Sequence, residues 1–145
     1  MEGMGNLKFY LWAMNTSNQL KPIVFSIIIG VIGSLVLVGF FTCLMSIDTI
    51  EKLLPYIIGF NAALTGYNLI KNTDNSLKLK RTYAISSGVV MVVTTAVILN
   101  LVMLHLLGSY LIYFTDAISL IIIGGVSSGL GAILAIKYLN MNHFT

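Results

Sequence analysis

One segment of the chain carries a regular row of polar side chains within an otherwise apolar stretch. Asn61, Thr65, Asn68 and Asn72 follow one another at i, i+4, i+7 and i+11, so a helix places all four on one face. We call this row the polar stripe. Amide and hydroxyl groups in such a row can bond to a neighbouring helix, or they can line a hydrated path. The sequence leaves both interpretations open: interhelical contact, and the lining of a pore or carrier.

The acidic residues that border the uncharged segments are predicted to serve helix starts. Asp48 is the expected N-cap of one helix, with Glu51 as its reciprocal capping partner, and Thr115 with Asp116 is expected to cap another. A carboxylate at such a position also faces the positive end of the helix dipole. For Asp116 a second interpretation stays open, the attraction of cations to an outer vestibule.

The remaining reactive side chains do not combine into a catalytic or metal-binding set. His105 stands alone in its segment, and one histidine cannot supply the paired axial ligands of a haem, or a metal site without partners. Cys43 is the single cysteine, which excludes an intrachain disulfide or dithiol pair. The sequence contains no phosphate-binding glycine loop, zinc-binding helix or paired nucleophile and base. We therefore expect no enzyme activity, no cofactor and no metal site.

A cluster of basic residues marks one short polar segment and consists of Lys71, Lys78, Lys80 and Arg81. Each can contribute about 1 kcal/mol of attraction to an anionic lipid surface. Their simpler role is to set the orientation of the chain in a membrane. An anionic lipid and a cytoplasmic protein are the candidate partners for this segment, and no nucleic-acid partner is expected.

The composition predicts that these residues lie in or beside a bilayer. The chain has 145 residues, of which 57% are hydrophobic and 9% are charged, and its mean hydropathy is +0.94. Asp, Glu, Lys and Arg are absent from residues 22–47, 53–70, 82–115 and 117–136. A transmembrane helix needs about 20 predominantly apolar residues. The composition therefore excludes a soluble enzyme, a nucleic-acid-binding domain and a disordered tail.

The uncharged segments predict an all-α, polytopic integral membrane protein with a single domain over residues 1–145. The expected transmembrane helices cover 22–45, 49–71, 82–107 and 116–140, arranged as two helical hairpins joined by a cytoplasmic loop at 72–81. The uncharged run 82–115 would form a helix of about 50 Å, which is longer than a hydrocarbon core of about 30 Å. We therefore expect a break at Gly108 and Ser109.

The arm before the first span, residues 1–21, is expected to contain a short interfacial helix. Leu7, Tyr10, Leu11 and Met14 lie at i, i+3, i+4 and i+7, which gives such a helix an apolar face. Residues 15–18 are the expected link to the first span. That span is predicted to begin at Pro22, because proline suits the first helical turn. The simpler alternative is that the arm only leads into the span.

The basic residues also predict which side each end of the chain occupies. Cytoplasmic loops are rich in Lys and Arg, and the predicted topology leaves only Lys52 on the opposite side. We therefore expect both termini and the 72–81 loop in the cytoplasm, with the helices in the plasma membrane of a prokaryote. The basic residues on the cytoplasmic side are Lys8, Lys21, Lys71, Lys78, Lys80, Arg81 and Lys137.

Small residues recur on three of the predicted helices at the spacing of helix-contact faces, where they let backbones approach closely. The second and fourth helices match each other at a shift of 65 residues, which indicates either a parallel repeat or convergence on one packing pattern. The predicted packing seams are Ser26, Gly30, Gly33 and Ser34 in the first span; Gly59, Ala62, Ala63 and Gly66 in the second; and Gly124, Ser127, Ser128, Gly131 and Ala135 in the fourth.

Two functional classes stay open after these exclusions. The first is a small non-enzymatic membrane protein that assembles through its small-residue faces, as a homo-oligomer or as a subunit of a larger membrane complex. The second is an oligomeric channel, pore or small carrier whose path is lined by the polar stripe. It would serve transport, or membrane depolarisation of the toxin or phage-defence type. An intramembrane enzyme acting on lipid is disfavoured because acid, base and nucleophile candidates do not converge.

Overall fold

The described part of the chain folds entirely into α-helices and their connections. The structure is a computed structural model that describes residues 3–73 and 80–141, so Lys78 lies outside the described residues. Each of the four helices contains a stretch long and apolar enough to cross a membrane. The predicted all-α class with four candidate transmembrane helices is confirmed at this level. The helices are α1 (Gly3–Thr42), α2 (Ile47–Lys71), α3 (Lys80–Leu107) and α4 (Phe114–Met141).

Helix α1 is longer than the sequence predicts. It has 40 residues and runs without a break from Gly3 to Thr42, with Pro22 inside it. The expected interfacial helix and the first span are therefore one helix, and the link expected at 15–18 is helical. A proline inside a helix removes one backbone hydrogen bond and crowds the carbonyl four residues before it, but Pro22 does not end α1, and good helix formers such as Leu20 and Lys21 precede it. At about 1.5 Å per residue the helix spans about 60 Å.

The starts of α2 and α4 differ from the predicted caps. The N-cap of α2 is Ser46, whose backbone is extended (φ −69°, ψ 155°) and whose side chain makes no capping hydrogen bond. Asp48 therefore lies in the first turn rather than at the cap. Helix α4 begins at Phe114, which likewise places Asp116 in the first turn. Both predicted cap assignments are wrong because each helix starts before its carboxylate. The carboxylates can still interact favourably with the helix dipole.

The predicted break after α3 is confirmed. Gly108 has a φ of +69°, the left-handed conformation that glycine adopts without a steric penalty. Its N–H still donates to the carbonyl of Leu104, at 3.0 Å. This geometry ends α3 at Leu107 and starts a non-helical segment, residues 108–113, that leads to α4.

The helices form a bundle in which α2 and α3 are central. Helices α1 and α4 each contact both α2 and α3, whereas the described parts of α1 and α4 do not contact each other. The most extensive contact is between α2 and α4. Gly59 lies near Ile123 and Gly66 lies near Ser128, so these two helices run parallel. The largest cluster of buried apolar side chains includes Ile58 and draws residues from all four helices.

Candidate functional site

The polar stripe begins in the interior of the bundle, at the contact between α1 and α2. Asn61 is 4% exposed and Thr65 is fully buried. A β-carbon on Gly33 would overlap the Oδ1 atom of Asn61, and one on Gly30 would overlap the hydroxyl of Thr65. Helix α1 can approach this face closely because glycines lie opposite the two polar side chains.

The hydrogen bonds described for the polar stripe, those of Asn61 and Thr65, stay within α2. The Asn61 Nδ2 atom donates to the carbonyl of Ile57 at 3.0 Å, and the Thr65 hydroxyl donates to the carbonyl of Asn61 at 2.9 Å. Further along the stripe, Asn68 is half-buried and Asn72 is exposed. Helix α1 thus covers the first two residues of the stripe, Asn61 and Thr65, and the stripe becomes exposed toward the C-terminal end of α2.

The seam between α2 and α4 has a local two-fold pattern. Gly66 lies against the backbone of Ser128, and Gly131 lies against the backbone of Ala63. Positions 65 residues apart correspond in the two helices, so Ala63 corresponds to Ser128 and Gly66 to Gly131. The two contacts therefore join the same pair of equivalent positions, with the roles of the two helices exchanged. The matching small-residue patterns of the two helices therefore meet each other.

The other predicted seams are also contacts within the chain. On α1, Gly30 packs against Met91 of α3 as well as Thr65. On α4, Gly124 packs against Val92 of α3, and Ser128 donates from its hydroxyl to the carbonyl of Ala84 at 2.6 Å. The small-residue faces that the sequence offers for assembly thus hold the helices of one chain together.

Asn100 is not among the site residues predicted from the sequence, yet its side chain forms three hydrogen bonds to the backbone. Its Oδ1 atom accepts from the backbone N–H groups of Leu111 and Ile112, at 3.1 and 2.9 Å. Its Nδ2 atom donates to the carbonyl of Ile112 at 2.9 Å. The side-chain amide of Asn100 therefore forms hydrogen bonds with three backbone groups of a non-helical segment, which cannot find partners within a helix.

These bonds draw the 108–113 segment into the bundle. Leu111 and Ile112 are each 4% exposed, while Tyr110 and Tyr113 on either side are exposed. Asn100 precedes the end of α3 by seven residues, so the segment folds back beside the last turns of that helix. The sequence does contain a signal for this fold-back. A single side-chain amide within an apolar helix, shortly before a glycine break, requires a hydrogen-bond partner.

Two cavities flank the folded-back segment. The larger has a volume of about 560 Å³ and lies between α3 and α4. The smaller has a volume of about 140 Å³, and its wall includes Glu51 and Asp116. Ile112 lines both cavities. The structure thus brings together two acidic residues that are distant in the sequence, although both are exposed.

The charged residues of the described helices separate into two ends. Asp48, Glu51, Lys52 and Asp116 lie near the N-terminal ends of the parallel helices α2 and α4. The opposite end, which we call the basic end, carries exposed basic residues from all four helices. The basic residues whose exposure is described there are Lys21 of α1, Lys71 of α2, Arg81 of α3 and Lys137 of α4. His105 and Cys43 are exposed near the acidic end.

Comparisons with known proteins identify no relative. No protein-family model matches the chain, and no curated protein and no solved structure matches it at a significant level. The function must therefore be inferred from the arrangement of the residues themselves.

Proposed function

We propose that the protein is a non-enzymatic integral membrane protein that works as a subunit of a membrane assembly, with copies of itself or with other chains. Its two helical hairpins, α1–α2 and α3–α4, cross the plasma membrane, and the basic end lies in the cytoplasm together with both termini. The observation that carries this proposal is the separation of charge between the two ends of a bundle whose four helices are long and apolar.

The side chains within the bundle support the same proposal. The described polar residues that are fully buried include Ser34, Thr65, Thr95 and Ser128. Each of these four donates to a backbone carbonyl, which avoids the cost of an unpaired group in an apolar medium. The exception is Ser26 of the predicted α1 seam, which is fully buried and whose hydroxyl has no hydrogen-bond partner among the described residues. Large apolar side chains occupy the outer surface instead. In a bilayer such a surface faces lipid or another membrane-embedded chain.

The small-residue seams of this chain are already filled by contacts between its own helices, so we place the surface that binds other chains elsewhere. The outer face of α2 carries exposed large apolar side chains at i, i+4 and i+8, namely Tyr56, Phe60 and Leu64. The basic end offers a second contact surface, to anionic lipid headgroups or to a cytoplasmic partner. Function then resides in contacts made by a rigid four-helix unit.

Reporter fusions test the topology. A reporter that is active only in the cytoplasm, fused after Asn75, should be active, whereas the same reporter fused after Ser109 should be inactive. A reporter that works only after export should give the reverse pattern. Export of the Asn75 fusion would overturn the proposed orientation.

Mild solubilisation at native expression level tests assembly. We expect the solubilised protein to have a mass above that of one chain, and a lone monomer without partners would contradict the subunit role.

A channel or carrier is the second candidate function. The feature that favours it is the course of the polar stripe, which leads from buried Asn61 through half-buried Asn68 to exposed Asn72 at the basic end. A path along this stripe requires α1 to move away from α2, because Gly33 and Gly30 now cover Asn61 and Thr65.

Flux measurements separate the two candidates. In vesicles loaded with a fluorescent ion indicator, the double variant Asn61→Leu/Asn68→Leu should lose ion or solute flux under the channel proposal, while the oligomer stays intact. If the variant leaves flux unchanged, or if the wild-type protein conducts nothing, the stripe is a packing face. The control is Ser86→Leu, which introduces a leucine at an exposed polar position of α3 outside the polar stripe.

A further inference from the structure

The larger cavity is bounded by two helices and by the folded-back segment between them. Val92, Ala96 and Asn100 of α3 form one wall, and Ala117 and Ile121 of α4 form the other. Ile112 of the 108–113 segment lies with them. The volume of about 560 Å³ falls in the range of small-molecule pockets, about 300–1,000 Å³.

The lining of this cavity is almost entirely apolar. Asn100 is the one amide in its wall, and both ends of that amide are bonded to Leu111 and Ile112. The other lining residues within the helices are valine, alanine, isoleucine and phenylalanine. A cavity of this kind does not retain water, because a buried water needs two to four polar partners. Its occupant must therefore be apolar.

The mouth of the cavity opens on the outer surface of the bundle. Val92 and Ile112 are buried, whereas Val93, Val97 and Tyr113 line the same cavity and are exposed. Tyr110 and Tyr113 lie in the segment between the end of α3 and the start of α4, and tyrosines are enriched at the level of lipid headgroups. The cavity thus runs from an aromatic rim toward the middle of two apolar helices.

We propose that this cavity holds one acyl chain of a membrane phospholipid. The proposal rests on the membrane insertion proposed above, which places hydrocarbon at the cavity mouth. An acyl chain supplies the required apolar and elongated shape, and the tyrosines at the rim lie where its headgroup would be. The bound chain packs against Ile112 and so supports the segment that Asn100 holds in place.

Photolabelling in vesicles tests this site. The full-length protein is reconstituted with a phosphatidylcholine that carries a diazirine on one acyl chain, and the labelled residues are mapped by peptide mass spectrometry. We expect the label on Val92, Ala96 and Ile121 to exceed that on exposed residues of α1, such as Val36, by at least about fivefold, which corresponds to about 1 kcal/mol. Label on Val36 reports insertion in the membrane independently of the cavity.

Two variants that fill the cavity provide the decisive comparison. Ala96→Phe and Ala117→Phe each add a ring from a different wall, and each should lower the cavity label to the level of Val36. The matched control Val126→Phe adds the same ring on an exposed face of α4 outside the cavity, and it should change nothing. If one filling variant does not fold, the other and the wild-type enrichment still decide the result.

The outcomes separate this proposal from the proposed function. Absence of label on Val36 would show that the chain is not inserted and would overturn the proposed function. Normal label on Val36 with no enrichment in the cavity, or enrichment that survives both filling variants, would overturn the acyl-chain site alone.

Discussion

Replacing Asn100 by leucine will lower the free energy of unfolding by about 3 kcal/mol or more, because it removes the hydrogen-bond partner of three part-buried backbone groups at once. Those groups are the N–H of Leu111 and the N–H and C=O of Ile112. Each buried polar group left unpaired costs about 1–3 kcal/mol. Leucine is close to asparagine in shape, so the loss arises from the bonds rather than from a change in packing volume.

Chemical unfolding in mixed detergent micelles, followed by circular dichroism, measures this effect. The matched control is Asn72→Leu, which makes the same exchange at an exposed asparagine and should shift stability by less than about 0.5 kcal/mol. Hydrogen exchange at Leu111 and Ile112 should also rise in the Asn100 variant. Equal unfolding midpoints for the two variants would mean that Asn100 does not hold the 108–113 segment.

Gly131→Leu is expected to separate α2 from α4 and to cost about 3 kcal/mol or more, the upper end of the usual penalty for overpacking. A β-carbon at this position would overlap the carbonyl and backbone carbon of Ala63. Backbone atoms cannot turn aside as a side chain can, so the two helices must move apart. The α2–α4 contact is the most extensive in the bundle, and the whole fold should weaken with it.

The control for this variant is Gly39→Leu, because a β-carbon on Gly39 meets no atom within 4 Å. Thermal unfolding and oligomer size are measured on both variants. We expect Gly131→Leu to destabilise the single chain, whereas Gly39→Leu should leave the unfolding midpoint nearly unchanged. Dissociation of an oligomer by Gly131→Leu at unchanged chain stability would contradict the internal seam and would place this glycine between subunits.

The sequence predicts the helices well where their ends depend on local chemistry. Long runs without charge identify four apolar helices, and Gly108 ends α3 because a left-handed residue is needed there. The caps at Asp48 and Asp116 are predicted less well. Ser46 and Asp48 are both good cap residues two positions apart, and local pattern alone does not choose between them.

The faces of the helices are predicted in part. Helical spacing correctly groups Asn61 with Thr65, and Gly66 with Ala63, because residues three or four apart share a face. The spacing does not say which helix each face meets. Several faces of small residues are equally able to approach one another, so only the bundle decides that α1 covers Asn61 and that α2 meets α4.

By itself the sequence therefore determined how many apolar helices the chain forms, where the longest apolar run breaks and where the charges lie. The tertiary structure alone decided that the small-residue faces pack within one chain, that α1 covers Asn61 and Thr65 of the polar stripe, and that Asn100 forms hydrogen bonds with residues eleven and twelve positions further along the chain. The physical reason is the range of the forces involved. Charge, proline and glycine act on the nearest turns, whereas a contact face or an amide acquires its role only from the backbone placed opposite it.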